Sequence, residues 1–241
     1  MTASPAPRRI GTLHETQLHA ALKRRLAQPG DLLEAPVAGF VADLLREAPG
    51  AGRLIVEVQT GSFAALRRKL PALLEHSRVQ LVHPIALEKW IVRVDAAGRP
   101  LSRRKSPRRG ALTDLFLELV SLPALIAHPN LTIAVALVTE EEWRGPARRR
   151  RWRRDYRVVD RRLVDLVALA EYRSPADFLS FIPAGLPQPF TSRALAEALG
   201  VPDYLGHKIT YCLRHMGVLA EAGTLRRARL YQVLPDSQHQ A

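Results

Sequence analysis

Four side chains among the first 60 residues have the types and spacing to hold a hard cation and act on a phosphate. Glu57 interrupts the aliphatic run Leu54-Ile55-Val56-Glu57-Val58, and Gln59 follows two positions later, so in a strand both project from one face. Asp43 falls late in a second apolar run, Phe40 to Leu45. A buried carboxylate is costly unless it is paired or binds a metal. Two carboxylates at neighbouring strand ends supply the oxygen ligands that Mg²⁺ or Mn²⁺ takes, and such an ion polarises a phosphodiester and lowers the pKa of an attacking water. Glu15 is the third acid: in a helix it lies about 20° from Leu22 and about 60° from Leu18, beside the buried stripe. It also completes a capping box, Thr12-Leu13-His14-Glu15, and the two roles are compatible.

These residues need elements to position them. Leu18, Leu22 and Leu26 recur at four-residue spacing, so Thr12 to Ala27 reads as a helix that Gln28-Pro29-Gly30 stops. Leu32 to Val37 and Gly39 to Leu45 read as a hairpin, and Leu54 to Val58 as the clearest strand. Thr60 and Ser62 can cap a helix with Phe63, Leu66, Leu70, Leu73 and Leu74 on one face, before a strand at Val79 to Val82. That βαβ unit predicts a parallel strand pair. Free N–H groups at its helix N-terminus favour a phosphate beside Glu57, although Thr60 and Ser62 serve equally as an ordinary cap. Further strands are expected at Lys89 to Asp95 and Leu131 to Val138, with a helix from Leu112 to about Ala127.

The chain has 241 residues, 47% of them apolar, enough for a sizeable core in one large or two smaller domains. No apolar run approaches the ~20 residues of a membrane span. The leader, residues 1–11, lacks the apolar stretch of a secretory signal, so the expected location is the cytoplasm. Cys212 is the single cysteine, which excludes an internal disulfide and a thiolate zinc cluster. The histidines are scattered, and GxSxG, GxxxxGK[ST] and GxGxxG are absent, so triad hydrolase, triphosphatase and dinucleotide readings lack support.

The net charge of +13 is mostly arginine and unevenly placed. Arg103, Arg104, Lys105, Arg108 and Arg109 form one run; Arg148 to Arg151, including Arg149 and Arg150, with Arg153 and Arg154 form another. Such clusters suit a polyanion, because neutralising phosphates releases condensed counterions. They can also be solvated loops. Residues 146–173 read as a basic connector. Residues 174–235 then read as helix, helix, tight turn, helix and hairpin, the pattern of a winged helix-turn-helix. Its recognition helix, Asp203 to Met216, presents Tyr204, His207, Lys208 and Tyr211, and its wing carries Arg226 and Arg227. Protein docking is the other use of such a module.

Residues 10–85 resemble the PD-(D/E)XK nuclease superfamily: an acid on the first helix (Glu15), Asp43 after a hairpin strand, and Glu57-Val58-Gln59 on the next strand. The resemblance implies an α/β fold with a restriction-endonuclease-like αβββαβ core, here over residues 12–145 with extensions, and a small C-terminal winged-helix domain. It implies metal-dependent hydrolysis of DNA by Mg²⁺ or Mn²⁺, with Asp43 and Glu57 as metal ligands and Glu15 as an accessory acid. The family's usual lysine is replaced by Gln59, which cannot supply a positive charge. Lys69, about 60° off the apolar stripe of the next helix, is a candidate to reach the site instead. The alternative is a non-catalytic DNA-binding or regulatory protein on a degenerate nuclease fold. Expected partners are nucleic acid, DNA ahead of RNA, and a second copy of the chain in a homodimer.

Overall fold

The computed structural model describes residues 16–48, 52–151 and 154–235. Helix α1 (Gln17–Leu26) starts at Thr16, whose hydroxyl accepts from the His19 N–H at 3.3 Å, so the cap is Thr16. The expected Thr12 capping box, with Glu15, lies outside the described residues. Lys23, Arg24 and Arg25 in the last turn complement the helix dipole.

Strands β1 (Leu32–Val37) and β2 (Phe40–Ala48) form the expected hairpin. Its two-residue turn, Ala38-Gly39, has φ of 48° and 77°, the left-handed pair that matches strand twist. β3 (Gly52–Val58) pairs antiparallel with β2 and parallel with β4 (Arg78–Val94). The predicted helix between them divides into a 3₁₀ turn, Phe63–Leu66, and α2 (Lys69–Leu74). The strands expected at 79–82 and 89–95 are one 17-residue strand.

Three more expectations need correction. Arg103, Arg104 and Lys105 are strand, not loop: β5 (Pro100–Lys105) pairs with the far half of β4. The helix expected over 112–127 is a 3₁₀ turn, Leu112–Leu115, and one turn of α3 (Phe116–Leu119), after which the chain runs in turns. Residues 146–173 do not connect two domains. β6 (Leu131–Arg151) and β7 (Arg154–Tyr172) make a long antiparallel hairpin within the main sheet, whose order is β1-β2-β3-β4-β6-β7. Some of the described charges within it have cross-strand partners: Glu140 meets Lys89 on β4 and Arg161 on β7.

The architecture is mixed α/β. On one face Leu18 and Leu22 of α1 pack on Leu44, Val56, Val58, Val82, Ala134 and Val138. On the other, Phe63, Leu70 and Leu73 join Leu115, Phe116 and Leu119, and this core continues without a break into the C-terminal residues. A 3₁₀ helix, Pro175–Phe181, sets Phe178 against Tyr172 (centroids 4.7 Å apart) and Phe181 against Phe116 (4.8 Å). β8 (Phe190–Thr191), α4 (Ser192–Leu199), α5 (Asp203–His215), β9 (Leu219–Leu225) and β10 (Ala228–Val233) follow, with a small sheet of order β8-β10-β9. α5 packs on α3, so this segment is cemented to the main sheet rather than tethered to it.

Candidate active site

Asp43 and Glu57 meet where β2 and β3 run side by side. Glu57 shares its face with Ile55, toward α2, and is 4% exposed. Its Oε1 is bonded by Lys69 Nζ from the first residue of α2, and its Oε2 accepts from the Asp43 N–H at 3.4 Å. Asp43 Oδ2 accepts from the Val58 N–H at 2.8 Å. His19 Nε2 lies 2.8 Å from the Val58 carbonyl and 3.2 Å from Asp43 Oδ2; both are acceptors, so Nε2 carries a proton and donates to each. Lys23, one turn further along α1 and 6% exposed, stands 3.8 Å from Asp43 Oδ1 and 3.4 Å from Glu34 Oε1.

The electrostatics separate the two acids. Burial pushes the Asp43 carboxyl up, but the His19 hydrogen bond and charge, the Val58 amide and the Lys69 charge outweigh it and hold Asp43 below the usual range. Burial and the neighbouring Asp43 charge push Glu57 up to about 6 despite Lys69. A carboxylate pair in mutual repulsion, rich in hard oxygen donors and poor in thiolate, fits a hard divalent cation that would relieve that repulsion. Asp43 and Glu57 would hold it. Among the described residues, no group of three or more His, Cys, Asp or Glu is gathered at one point.

The expected residues fare differently. Lys69 reaches Glu57. Gln59 turns away: its side-chain amide donates to the Ser62 carbonyl at 2.8 Å, and its N–H donates to the Val82 carbonyl, continuing the β3/β4 pairing. The expected phosphate cradle at residues 60–62 is already engaged. Ser62 Oγ accepts from Ala64, the Phe63 N–H donates to Glu118 Oε2 at 3.0 Å, and the Thr60 carbonyl accepts from Arg161 at 3.2 Å.

The basic residues also divide. Arg103 pairs with Glu141 and Lys105 with Glu88, while Arg104, Arg108 and Arg109 are exposed. Arg149 and Arg150 fall at the end of β6, where the side chains lie outside the described ones. Lys208 is half-buried on α5, and Arg226 and Arg227 form the exposed β9–β10 turn, both left-handed with φ of 46° and 75°.

Sequence reasoning missed His19, Lys23 and Glu34. The signal for the first two was their i, i+4 spacing on α1, flanking Leu18 and Leu22. Glu34 lies opposite Asp43 in the hairpin with φ of 51°, a conformation costing a non-glycine residue about 1–2 kcal/mol, and no sequence pattern announces it.

A protein of Treponema pallidum (strain Nichols), carrying the name "Uncharacterized protein", is 27% identical over 233 residues, 96% of this chain and 90% of its own length. No solved structure matches the chain. A family model described as "Domain of unknown function (DUF8091)" matches residues 16–173, from the cap of α1 to the end of β7. The β6–β7 hairpin and the carboxylate site thus fall within one family unit, and the chain belongs to the DUF8091 family.

Proposed function

We propose that this chain is a metal-dependent DNA endonuclease or nickase of the PD-(D/E)XK type, acting in the cytoplasm. One observation carries the reading: two carboxylates on adjacent antiparallel strands, the half-buried Asp43 and the buried Glu57, the latter bonded by a lysine from the helix that follows. The strand order β1-β2-β3-β4, its last pair parallel and α1 and α2 on opposite faces, agrees with an αβββαβ core. The order β8-α4-α5-β9-β10 agrees with a winged helix.

A bound Mg²⁺ or Mn²⁺ supplies Lewis-acid polarisation of the phosphodiester and a more acidic water. The chain's own residues do the rest. Asp43, held ionised by the Val58 amide and by His19, and Glu57 present the oxygens. Lys69 supplies the positive charge that Gln59 cannot, stabilising charge that develops on the phosphoryl oxygens. In the reaction a water oxygen bonds to phosphorus, the bond to the leaving sugar oxygen breaks, and that oxygen takes up a proton.

Supercoiled plasmid incubated with Mg²⁺ or Mn²⁺ should become nicked, and Asp43→Ala should abolish the nicking. Intact plasmid with both metals, together with no calorimetric heat of metal binding, would overturn the proposal. The two-carboxylate donor set among the described residues favours a second reading, a DNA-binding protein without cleavage, in which plasmid is bound and stays intact.

A further inference from the structure

The excess positive charge falls largely in two segments of the sequence; in the second it comes from residues 148–155, whose side chains lie outside the described ones. Residues 88–109 hold eight Lys and Arg against two Asp and Glu, and residues 139–162 hold ten against five, so these segments carry +11 of the net +13. Residues 174–235 carry only +2, six against four. The two segments are remote in sequence, yet β4 pairs with β5 and β6, and β6 with β7, making four neighbouring strands in the order β5-β4-β6-β7. The β3/β4 pairing ends at Val58 opposite Val82, while β4 runs on to Val94, about 40 Å further. This arm therefore rises from the level of the carboxylate site. His83 Nδ1 donates to the Gln59 carbonyl and Arg161 donates to the Thr60 carbonyl at its base.

One face of the arm has an unusual composition. The register sets Lys105, Trp90, Glu141 and Arg162 in one row and Arg103, Val92, Trp143 and Asp160 in the next, all on the same side. The Arg103 guanidinium lies 3.9 Å over the Trp90 ring and that of Arg162 3.4 Å over Trp143. The acids of this face hold the stacks in place: Glu141 accepts from Arg103 Nε at 2.8 Å and from Trp143 Nε1 at 2.9 Å, and Asp160 accepts from Arg162 Nε at 3.1 Å. Flat guanidinium and indole surfaces are what unpaired bases stack on, and Arg103 and Lys105, on this same face, are exposed toward a strand's phosphates. Four strands roughly 4.8 Å apart, with their side chains, are broader than a major groove of about 12 Å, so the face cannot enter a duplex.

We propose that this face of the β5-β4-β6-β7 arm binds single-stranded nucleic acid, stacking bases on the Trp90–Arg103 and Trp143–Arg162 pairs. The proposal goes beyond the hydrolytic reading, rests on a different part of the sheet and requires no metal. Its test is fluorescence anisotropy of the full chain in EDTA, which removes cleavage from the readout. The probes are a 20-nucleotide thymidine homopolymer, its uridine counterpart, a 20-base-pair duplex and phosphatidylserine vesicles. At least one single strand should bind tenfold or more tighter than the duplex, and the better of the two fixes the sugar. Trp90→Leu and Trp143→Leu should each weaken that strand about tenfold, as for one lost base stack, with Trp90→Phe retaining most of the affinity. Arg103→Gln, which removes a stack at an exposed position, serves where a tryptophan variant fails to fold. Arg226→Gln with Arg227→Gln should change affinity less than about twofold. Equal or tighter binding of duplex or vesicles, wild-type affinity in the tryptophan and Arg103 variants, or no binding of either single strand would overturn it.

Discussion

Glu57 is the residue on which the candidate chemistry turns, and its protonation can be read through stability. Its carboxyl is raised from an ordinary 4.5 to about 6, so the fold favours the protonated form. The stability it contributes is complete below pH 4.5 and is lost as pH rises through 6, about 2 kcal/mol in all. Glu57→Gln resembles the protonated acid and escapes this loss. Its stability relative to wild type should therefore grow by about 2 kcal/mol between pH 4.5 and 7.5, measured by urea unfolding in EDTA; a constant difference would contradict the assignment. Asp43, lowered rather than raised, titrates below its ordinary 3.8 and leaves this window clear. Lys69→Met tests the charge that Gln59 lacks: plasmid nicking should fall by about 10²–10³, and because the buried Glu57 loses its ion-pair partner the melting temperature should fall as well.

At the level of elements, close approach of helices sets tolerance. A Cβ on Gly206 would lie 2.4 Å from the Ser192 carbonyl oxygen and 2.7 Å from Ala196 Cβ, so α4 and α5 cross at that glycine. Beside it the buried Ser192 and Thr210 hydroxyls bond at 2.8 Å. An ordinary helix interior gains up to about 1 kcal/mol from Gly→Ala. Here the clash falls on backbone, and Gly206→Ala should instead destabilise by about 1–3 kcal/mol, visible as a lower melting temperature. The Arg226-Arg227 turn is the opposite case, open and exposed but in a conformation that suits Asn-Gly. Replacing the pair with Asn-Gly should stabilise the hairpin by about 1–2 kcal/mol, a gain checked by thermal unfolding.

For the whole molecule, the continuous core decides how the C-terminal segment can be studied. Leu115, Phe116 and Leu119 are fully buried within a core shared with Leu205, Ile209 and Leu213 of α5. Uncovering three such side chains forfeits about 1.5–3 kcal/mol each, comparable with the 5–15 kcal/mol that holds a domain folded. Deleting residues 174–241 should therefore give insoluble or unfolded protein rather than a folded sheet with weaker DNA affinity. Calorimetry of the full chain should show one transition; two independent ones would contradict the shared core.

The local pattern determined much of this. Four-residue spacing marked α1, apolar runs marked β2 and β3, and the acids that interrupt those two runs marked Asp43 and Glu57, because one buried face leaves a periodic trace. Spacing put Lys69 about 60° off the stripe of one continuous helix; the 3₁₀ turn and α2 are separate, and Lys69 opens α2 in contact with Glu57. The far halves of β4, β6 and β7 were illegible for a different reason. Charged runs such as Glu140-Glu141-Glu142 and Arg161-Arg162 read as loop in isolation, and become strand where partners from other strands, such as Lys89, Arg103 and Arg161, meet Glu140 and Glu141. The sequence by itself determined which residues are candidates for chemistry and where charged residues cluster along the chain; tertiary pairing alone decided that β5, β4, β6 and β7 form one arm beside the carboxylates, because that arm is built from contacts between residues far apart in the chain.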